Sequence, residues 1–443
     1  MMDLSPELLT VLMFAGLLIG LFMGHPLAFV LGGLAVIFGY IGWGPSVFYV
    51  FMNRIWGTMD NYVLLAIPLF IFMAQFLDRS GVAEDLFNAL RYLLGQTKGG
   101  IGLAVVGVST VFAACTGIIG ASVVTMGLLA LPMMRKYGYD EELSYGAICA
   151  GGTLGILIPP SIMLVVMASE ATLSVGKLFA GAVIPGLILA ILYMIYIGVR
   201  CKINPKLGPP ISREERAAIT NKQLFTMVMK SLVPPMILIL GVLGSIFFGI
   251  ATPTEAAGVG AFLAFLMVLG YRKFTWKGLY QAVMQTAKTN AMVIIILCGA
   301  TCFTGVFLGV GGGDVVTDFV NGLGLGKWGT FWVMQLIVLL LGAFIDWIGI
   351  VLICFPLFLP IAQDLGFDTI WFVITIAVNL QASFLTPPFG YALFYIKGVD
   401  PDRIDIKRVY KGIIPYVIMV VIGLAITTYF PQTVTWLGTF VGD

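Results

Sequence analysis

Apolar runs of about twenty residues alternate with short polar turns along nearly the whole chain, from Leu8 to Phe430. As a helix rising 1.5 Å per residue, such a run crosses ~30 Å of hydrocarbon. The pattern predicts an all-α polytopic membrane protein with about ten full crossings. We place the crossings at residues 7–24, 27–43, 62–77, 143–169, 178–199, 231–250, 256–271, 289–309, 369–396 and 412–430.

Two further apolar stretches, residues 101–134 and 328–363, do not fit a single crossing. Each is too long for one tilted helix, yet neither has a hydrophilic loop in its middle. We therefore predict two re-entrant hairpins, each of which enters and leaves the membrane on one face.

The basic residues set the orientation of these segments. Of the 24 Lys and Arg residues, all but Arg54, Lys177 and Lys327 fall on one face of the membrane. The positive-inside rule assigns that face to the cytoplasm. Both termini are then expected outside, and the first hairpin opens to the cytoplasm while the second opens to the outside.

One sequence signature occurs twice, 228 residues apart: PMMRKYGYD with GGTLGILIPPS, and PIAQDLGFD with NLQASFLTPPF. Both copies end in tandem prolines, Pro159 with Pro160 and Pro387 with Pro388. Because the two hairpins open to opposite faces, the repeats are inverted relative to one another. Inverted repeats are typical of transporters that work by alternating access around a site near the membrane midplane.

The repeat divides the chain into five predicted segments. Residues 1–98 and 231–327 each hold three crossings and an amphipathic arm in the membrane interface. Residues 99–200 and 328–443 each hold a hairpin, a broken helix and a closing helix. Residues 201–230 form a polar cytoplasmic linker.

The first arm has the sequence SGVAEDLFNALRYLLG, and its apolar side chains, Leu86 and Leu93 among them, share one helical face. Arg91 is assigned to the opposite, polar face with Glu84 and Asp85. A weaker counterpart, GGDVVTDFVNGL, precedes the second hairpin. A plain connector helix is the alternative interpretation.

The tandem prolines interrupt two crossings and release backbone carbonyls. Because proline has no N–H, the carbonyls of Gly155, Ile156, Ser383 and Phe384 lose their helical donors. Free carbonyls at mid-membrane are costly unless water or an ion meets them, and oxygen ligands suit hard cations. A simple proline kink is the alternative. The polar or glycine residues near the breaks are Gly151, Gly152, Thr153, Ser161, Asn379, Gln381, Ser383 and Thr386.

The predicted hairpin tips carry further candidates: Thr116, Gly117, Gly120 and Ser122 in the first hairpin, and Gly342, Asp346 and Gly349 in the second. Asp346 is the one carboxylate we place near mid-membrane, as a cation ligand or proton carrier; a helix cap is the alternative. Half-helix N-termini at the tips favour a small organic anion, since no Lys or Arg is placed at that depth.

Four segments together resemble the large membrane subunit (M, DctM-type) of a tripartite ATP-independent periplasmic (TRAP) transporter: IPLFIFMAQFLDRSG, FAACTGIIGASVVT, LPMMRKYGYD with GGTLGILIPPS, and NLQASFLTPPFGYALFYIKG. The resemblance covers essentially the whole chain. It implies an ion-transporter architecture in the bacterial cytoplasmic (inner) membrane, driven by a sodium gradient. In that architecture residues 1–98 and 231–327 are the scaffold, and residues 99–200 and 328–443 are two transport repeats that form a mobile transport domain and move as an elevator.

The resemblance also implies partners. These are a small membrane subunit (Q/DctQ-type), expected as a separate chain because this one begins with the large subunit's first helix, and a periplasmic solute-binding protein that delivers the anion. Na⁺ is the expected coupling ion, and no other cofactor, transition metal or nucleic acid is expected.

Site residues follow from the resemblance by position. Sodium sites map to each tip and the helix break of the same repeat, at Thr116, Gly117, Gly120, Gly151, Thr153, Gly155, Asp346, Gly349, Asn379, Gln381 and Ser383. The carboxylate or sulfonate substrate is expected between the tips, at Thr116, Ser122, Ser161 and Thr386.

Three other functions are weighed. A stand-alone sodium/dicarboxylate carrier of similar fold needs no binding protein, but typically has Ser-Asn-Thr hairpin tips, whereas these tips read CTGIIGAS and IDWIGIV. An intramembrane enzyme is disfavoured because the chain has 1 histidine and Asp346 has no catalytic partner at its depth. A channel is disfavoured because duplicated breaks imply occluded sites.

Overall fold

The computed structural model describes residues 5–217, 219–322, 324–387 and 390–442, and the regular elements in these ranges are all helices. The prediction of an all-α polytopic membrane protein is confirmed at this level. Within the described ranges, 8 helical segments are long and apolar enough to cross a membrane. The number of crossings, the side of each terminus and the division into scaffold and transport segments stay predictions.

The first half of the chain ends with the long helix α10. Its helices are α1 (Pro6–Phe22), α2 (Leu27–Trp43), α3 (Val47–Met59), α4 (Ala66–Ser80), α5 (Val82–Leu94), α6 (Gly100–Thr116), α7 (Ile119–Lys136), α8 (Glu141–Thr153), α9 (Ile162–Glu170) and α10 (Val175–Ile203).

The second half follows the same order after a short linker helix. Its helices are α11 (Arg213–Ala217), α12 (Asn221–Phe247), α13 (Pro253–Gly270), α14 (Trp276–Gly309), α15 (Gly312–Gly322), α16 (Gly326–Gly342), α17 (Trp347–Asp364), α18 (Thr369–Ser383), α19 (Tyr391–Val399), α20 (Ile406–Tyr429) and α21 (Gln432–Gly438).

The sequence repeat is a repeat of helices with the same register. Helices α7 and α17 both have 18 residues, and their first residues lie 228 positions apart, as the signature does. The repeated aspartates have the same structural role, because each caps the N-terminus of the helix that follows. Asp140 Oδ1 accepts a hydrogen bond from Leu143 N at 2.9 Å, and Asp368 Oδ1 accepts one from Trp371 N at 2.8 Å.

The two halves are intertwined by reciprocal contacts. Helix α2 packs on α14 while α13, the counterpart of α2, packs on α4, the counterpart of α14. In the same way α1 contacts α15 while α12 contacts α5, and α8 contacts α20 while α18 contacts α10. When each contact between two helices recurs between their counterparts in the other half, the halves are related by an internal pseudo-two-fold axis.

Charged groups join the halves at the predicted cytoplasmic side. Arg135, at the end of α7, donates to Asp400 Oδ2 at 2.6 Å, and Arg408 on α20 pairs with Glu141 on α8. The hydrogen bond from Arg135 lowers the pKa of Asp400. The two transport repeats are therefore tied to each other outside the apolar region as well as within it.

Helices α8 and α20 approach closely because glycines face each other. A Cβ on Gly146 would lie 2.2 Å from the carbonyl oxygen of Gly412, and a Cβ on Gly412 would lie 2.2 Å from that of Glu142. Any larger side chain at either position would force the two helices apart. The contact between the repeats thus depends on these glycines.

Helices extend beyond several of the predicted crossings. Residues 47–59, which we left without a helix, form α3, because Val47 and Phe51 are buried. The linker predicted at 201–230 is largely helical: α10 runs to Ile203, and α12 starts at Asn221 behind a capping box of Thr220 and Gln223. Lysine and glutamine are good helix formers, so the helices continue beyond their apolar parts.

The predicted arm is present as α5, but two of its residues do not lie on the predicted faces. Arg91, assigned to the polar face, is only 6% exposed and lies 3.8 Å from Glu215 Oε1 of the linker helix α11, whereas Leu93 is exposed. Tyr137 also hydrogen-bonds Glu215, and burial together with this bond raises its pKa to about 12. Arg91 is buried because the linker folds back over α5 and supplies a carboxylate.

Substitution of Gly146 by alanine tests the packing of the repeats. We expect Gly146→Ala to lower stability by about 1–3 kcal/mol, because the added methyl group collides with the backbone of α20. Gly198→Ala on α10 is the matched control, since a Cβ there meets nothing within 4 Å. Thermal unfolding of the purified protein in detergent measures both; equal melting temperatures for the two variants would contradict the packing argument.

Candidate functional site

The two hairpins turn at the predicted tips. The first pairs α6 with α7 and turns at Gly117 and Ile118; Gly117 has φ +62, a conformation that favours glycine. The second pairs α16 with α17, and its last turn residue, Asp346, occupies the N-cap position of α17 with an extended backbone. Each tip therefore presents the N-terminus of a half-helix.

The predicted break of the first repeat is present. Helix α8 ends at Thr153, a short 3₁₀ turn follows at residues 154–156, and α9 begins only after Ser161. The first tip rests on this break, since a Cβ on Gly117 would lie 3.3 Å from the carbonyl oxygen of Pro160. A Cβ on Gly155 would lie 3.4 Å from Ser122 Oγ, which is itself 3.0 Å from Thr116 Oγ1.

The second repeat has the equivalent arrangement. Helix α18 ends at Ser383 and α19 begins at Tyr391; Pro387 lies between them, and Pro388 lies outside the described residues. A Cβ on Gly342, at the end of α16, would lie 2.1 Å from Ser383 Oγ. Because Gly155 and Ser383 occupy equivalent positions of the repeat, each tip packs against the break of its own repeat.

Three of the four carbonyls that the prolines release have hydrogen-bond donors. Ser161 Oγ donates to the carbonyl of Ile156, and that of Ser383 accepts from Thr386 N at 3.3 Å and Thr386 Oγ1 at 3.2 Å. Ala392 N donates to the carbonyl of Phe384 at 3.4 Å. Our expectation of unpaired carbonyls was therefore wrong at these three residues. The carbonyl oxygens of Ile156 and Phe384, each with one donor, keep a second lone pair.

Side-chain oxygens near the second break do lack donors. Gln381 Oε1 and Ser383 Oγ are buried, and neither has a hydrogen-bond partner among the described residues. In the first repeat the same holds for Ser109 Oγ, which a Cβ on Gly151 would approach to 2.8 Å. Buried oxygens without partners cost free energy, and a hard cation would satisfy them.

Asn379, which we assigned to the second sodium site, takes part in a packing network. Its Nδ2 donates to the backbone carbonyl of Gln335 at 2.7 Å and to Gln335 Oε1 at 2.8 Å. Gln335 Nε2 in turn donates to Thr375 Oγ1 at 3.0 Å. The side-chain amide of Asn379 thus joins α18 to α16, and its predicted role as a cation ligand stays untested.

A cavity of about 580 Å³ lies where the tips and breaks meet the N-terminal ends of α2 and of the apolar part of α14. The first residue of each of four half-helices lines it: Ile119 of α7, Ile162 of α9, Trp347 of α17 and Tyr391 of α19. They meet because α19 packs on α7 while α9 packs on α17, so each half-helix crosses to the hairpin of the other repeat.

Of the residues assigned to sodium, Gly117, Gly120 and Asp346 line this cavity. Three assigned to the substrate, Ser122, Ser161 and Thr386, are not part of its lining as far as the structure describes it. Ser122 and Ser161 are fully buried, and Ser161 Oγ caps α9 by accepting from Leu164 N at 3.4 Å. Their assignment as substrate ligands stays a prediction.

The sequence reasoning missed three polar residues of the lining. Thr289 comes from α14, and Tyr391 and Tyr395 lie one turn apart on α19. The ring of Tyr395 lies against the first hairpin, since a Cβ on Gly120 would be 2.9 Å from its Cζ. Two tyrosines at an i, i+4 spacing directly after a proline break could have drawn attention to this face of α19.

Comparison with known proteins gives a consistent result. Residues 10–433 match the family model described as "Tripartite ATP-independent periplasmic transporter, DctM component". The C4-dicarboxylate TRAP transporter large permease protein DctM of Pseudomonas aeruginosa is 33% identical over 392 residues, covering 88% of this chain and 89% of that protein. These relatives are transport permeases and not enzymes.

Other relatives are named for different substrates. The isethionate TRAP transporter permease protein DctMQ of Oleidesulfovibrio alaskensis is 32% identical, over 93% of this chain and 63% of that protein. The sialic acid TRAP transporter large permease protein SiaM of Vibrio cholerae is 29% identical, over 93% and 94%. The YdaH transporter of Alcanivorax borkumensis has a similar fold, with a TM-score of 0.63 at 14% identity over 99% and 98% of the two chains.

Substitution of Asn379 separates packing from cation binding. We expect Asn379→Ala to cost about 1–3 kcal/mol in sodium and in potassium alike, because Gln335 Oε1 loses its buried donor. Asn53→Ala, at an exposed position of α3, is the control. The measurement is thermal unfolding in matched salts. A loss of stability confined to sodium would make Asn379 a cation ligand instead.

Proposed function

Because the chain belongs to the DctM family of tripartite ATP-independent periplasmic transporters, we propose that it imports a small organic anion, a carboxylate or sulfonate, driven by the sodium gradient across the bacterial inner membrane. In this proposal a periplasmic solute-binding protein delivers the anion. A small membrane subunit associates with the chain as a separate polypeptide.

The observation that carries the proposal is the meeting of four half-helix N-termini at one cavity. Each N-terminus presents backbone N–H groups and the positive end of a helix dipole. Together these attract an anion without a basic side chain, and the described lining of the cavity contains none. The relatives are named for organic anions: a C4-dicarboxylate, isethionate and sialic acid.

Sodium is the coupling ion in this proposal, and two sites follow from the repeat. The oxygens of Thr116 and Ser122 lie where the first tip meets its break, and the unpaired Gln381 Oε1 and Ser383 Oγ lie at the second. Asp346 adds a carboxylate at the cavity wall, on the second tip. Uncharged oxygens with at most one carboxylate suit a weakly held monovalent cation that must leave again.

Movement of the transport repeats against the scaffold completes the proposal. The cavity is lined by Pro26–Phe29, before and at the start of α2, and by α14 between Thr289 and Ile296. By the charge pattern, both segments lie near the cytoplasmic side. The described conformation therefore corresponds to the inward-facing end of an elevator movement.

A contact on the predicted outer side belongs to this inward-facing state. Asn61, just before the third predicted crossing, donates from Nδ2 to Ser169 Oγ on α9 at 2.7 Å. One residue lies in the proposed scaffold and the other in the proposed transport domain. This hydrogen bond must break when the transport domain moves outward.

Neutralisation of Asp346 tests the sodium coupling. We expect Asp346→Asn to reduce sodium-driven uptake by roughly tenfold or more, because a charged ligand is worth at least ~1.4 kcal/mol. Proteoliposomes with the chain, its small partner and the binding protein measure uptake with and without a sodium gradient. Asp364→Asn, an exposed carboxylate on the same helix α17, is the control. Unchanged uptake by Asp346→Asn would remove Asp346 from the coupling site.

A cross-link between residues 61 and 169 tests the movement. In a variant without the six native cysteines, we expect Asn61→Cys with Ser169→Cys, joined by a short bifunctional thiosulfonate, to lose transport and to regain it on reduction. The control pair, Arg135→Cys with Asp400→Cys, joins two parts of the same transport domain. Its cross-link should leave transport intact. Full activity of the cross-linked 61/169 variant would rule out the elevator movement.

A further inference from the structure

We propose that the cavity selects amphiphilic monoanions, in which one carboxylate or sulfonate is attached to an aromatic or aliphatic body. This inference rests on the proposed function and specifies the class of substrate for the same site. It follows from the uneven distribution of polar and apolar groups around the cavity.

The polar groups lie on the side of the tips. The four half-helix N-termini are there, together with the side chains of Asp346, Tyr391 and Tyr395. Tyr395 bridges the two repeats, because it sits on α19 and its ring covers Gly120 of the first hairpin. The anionic group of a substrate is therefore held at this end by backbone N–H groups and tyrosine hydroxyls.

The scaffold side of the cavity lining is almost entirely apolar. It is formed by α2, α4 and α14, with Thr289 as its one hydroxyl-bearing residue among the described lining residues. Its apolar side chains are Leu27, Phe29, Ile71, Met292, Val293, Ile295 and Ile296. Isoleucines at the tips and breaks of the transport repeats add apolar surface beside the helix starts; these are Ile118, Ile119, Ile156, Ile162 and Ile348.

This wall discriminates between classes of anion. A second carboxylate at the far end of a substrate would lose its water and find no basic group in the described lining. Several hydroxyl groups would likewise be buried with few partners. A hydrocarbon body instead gains from leaving water, by roughly fourfold in affinity for each methylene that the wall covers.

Binding of matched acid pairs tests the proposal. The purified complex of this chain with its small partner is titrated calorimetrically, in sodium and in potassium, with hexanoate and adipate and with benzoate and terephthalate. The members of each pair differ by one carboxylate on the same carbon skeleton or ring. We expect sodium-dependent binding in which each monoanion is at least roughly tenfold tighter than its dianion, and affinity that rises with chain length from butanoate to hexanoate.

The outcomes separate this inference from the proposed function. Sodium-dependent binding of adipate as tight as that of hexanoate would overturn the selection of monoanions and leave sodium-coupled anion transport standing. Binding that ignores sodium for every probe would overturn the coupling itself. Failure of hexanoate and benzoate to bind up to their solubility limits would overturn the amphiphile proposal.

A substitution in the wall provides a second test. Met292→Gln keeps the length of the side chain but places an amide against the body of the substrate. We expect hexanoate to bind roughly fivefold more weakly and adipate to be nearly unaffected, because only the hydrocarbon end meets this wall. Met284→Gln, on the same helix but outside the described lining, is the matched control. Equal losses for hexanoate and adipate would show that the wall does not recognise the hydrocarbon body.

Discussion

Within hydrocarbon, every backbone N–H and C=O must find a partner inside the protein, and the rest of this structure depends on that constraint. Two helices are interrupted by prolines and two hairpins turn within apolar sequence, so several backbone groups lose their helical partners around one cavity. Hydroxyl groups of Ser161 and Thr386 satisfy some of the free carbonyls. The four new helix starts line one cavity, where an anion can meet N–H groups that have no partner within their own helix.

The exchange of elements between the repeats brings these ends together. A half-helix that packed only on its own hairpin would leave two separate pairs of N-termini. Because α19 lies on α7 and α9 lies on α17, all four reach the same cavity. Glycines permit the close approach, with Gly120 beneath the ring of Tyr395 and Gly342 against Ser383. The chemistry of the site thus follows from backbone geometry more than from charged side chains.

Much of this architecture could be predicted from the sequence because its signals are local or repeated. The proline pairs predict the breaks, the repeated aspartates mark the starts of α8 and α18, and the length of the two apolar stretches implies hairpins. The partners of individual groups could not be predicted in the same way. A proline shows which hydrogen bond is lost, but not that Ser161 or Ala392 N replaces it.

Contacts between distant segments were the least predictable. The apolar wall of the cavity comes from α2, α4 and α14, whose residues cannot be told from other apolar residues of membrane-spanning helices in the sequence. Arg91 was assigned to a polar face because the helical pattern of α5 contains no information about Glu215, which lies on another helix. The role of Tyr391 and Tyr395 could not be predicted either, since only the packing of α19 on α7 places them at the cavity.

The central claim is that an anion binds where the four half-helix N-termini meet. The most direct measurement is a cryo-electron microscopy map of this chain with its small partner, in sodium and with 4-iodobenzoate, whose iodine gives a strong signal. We predict the carboxylate density beside Ile119, Trp347 and Tyr391, and the iodine against the apolar wall of α14. Density for the carboxylate away from these helix starts, in a map that resolves them, would contradict the account.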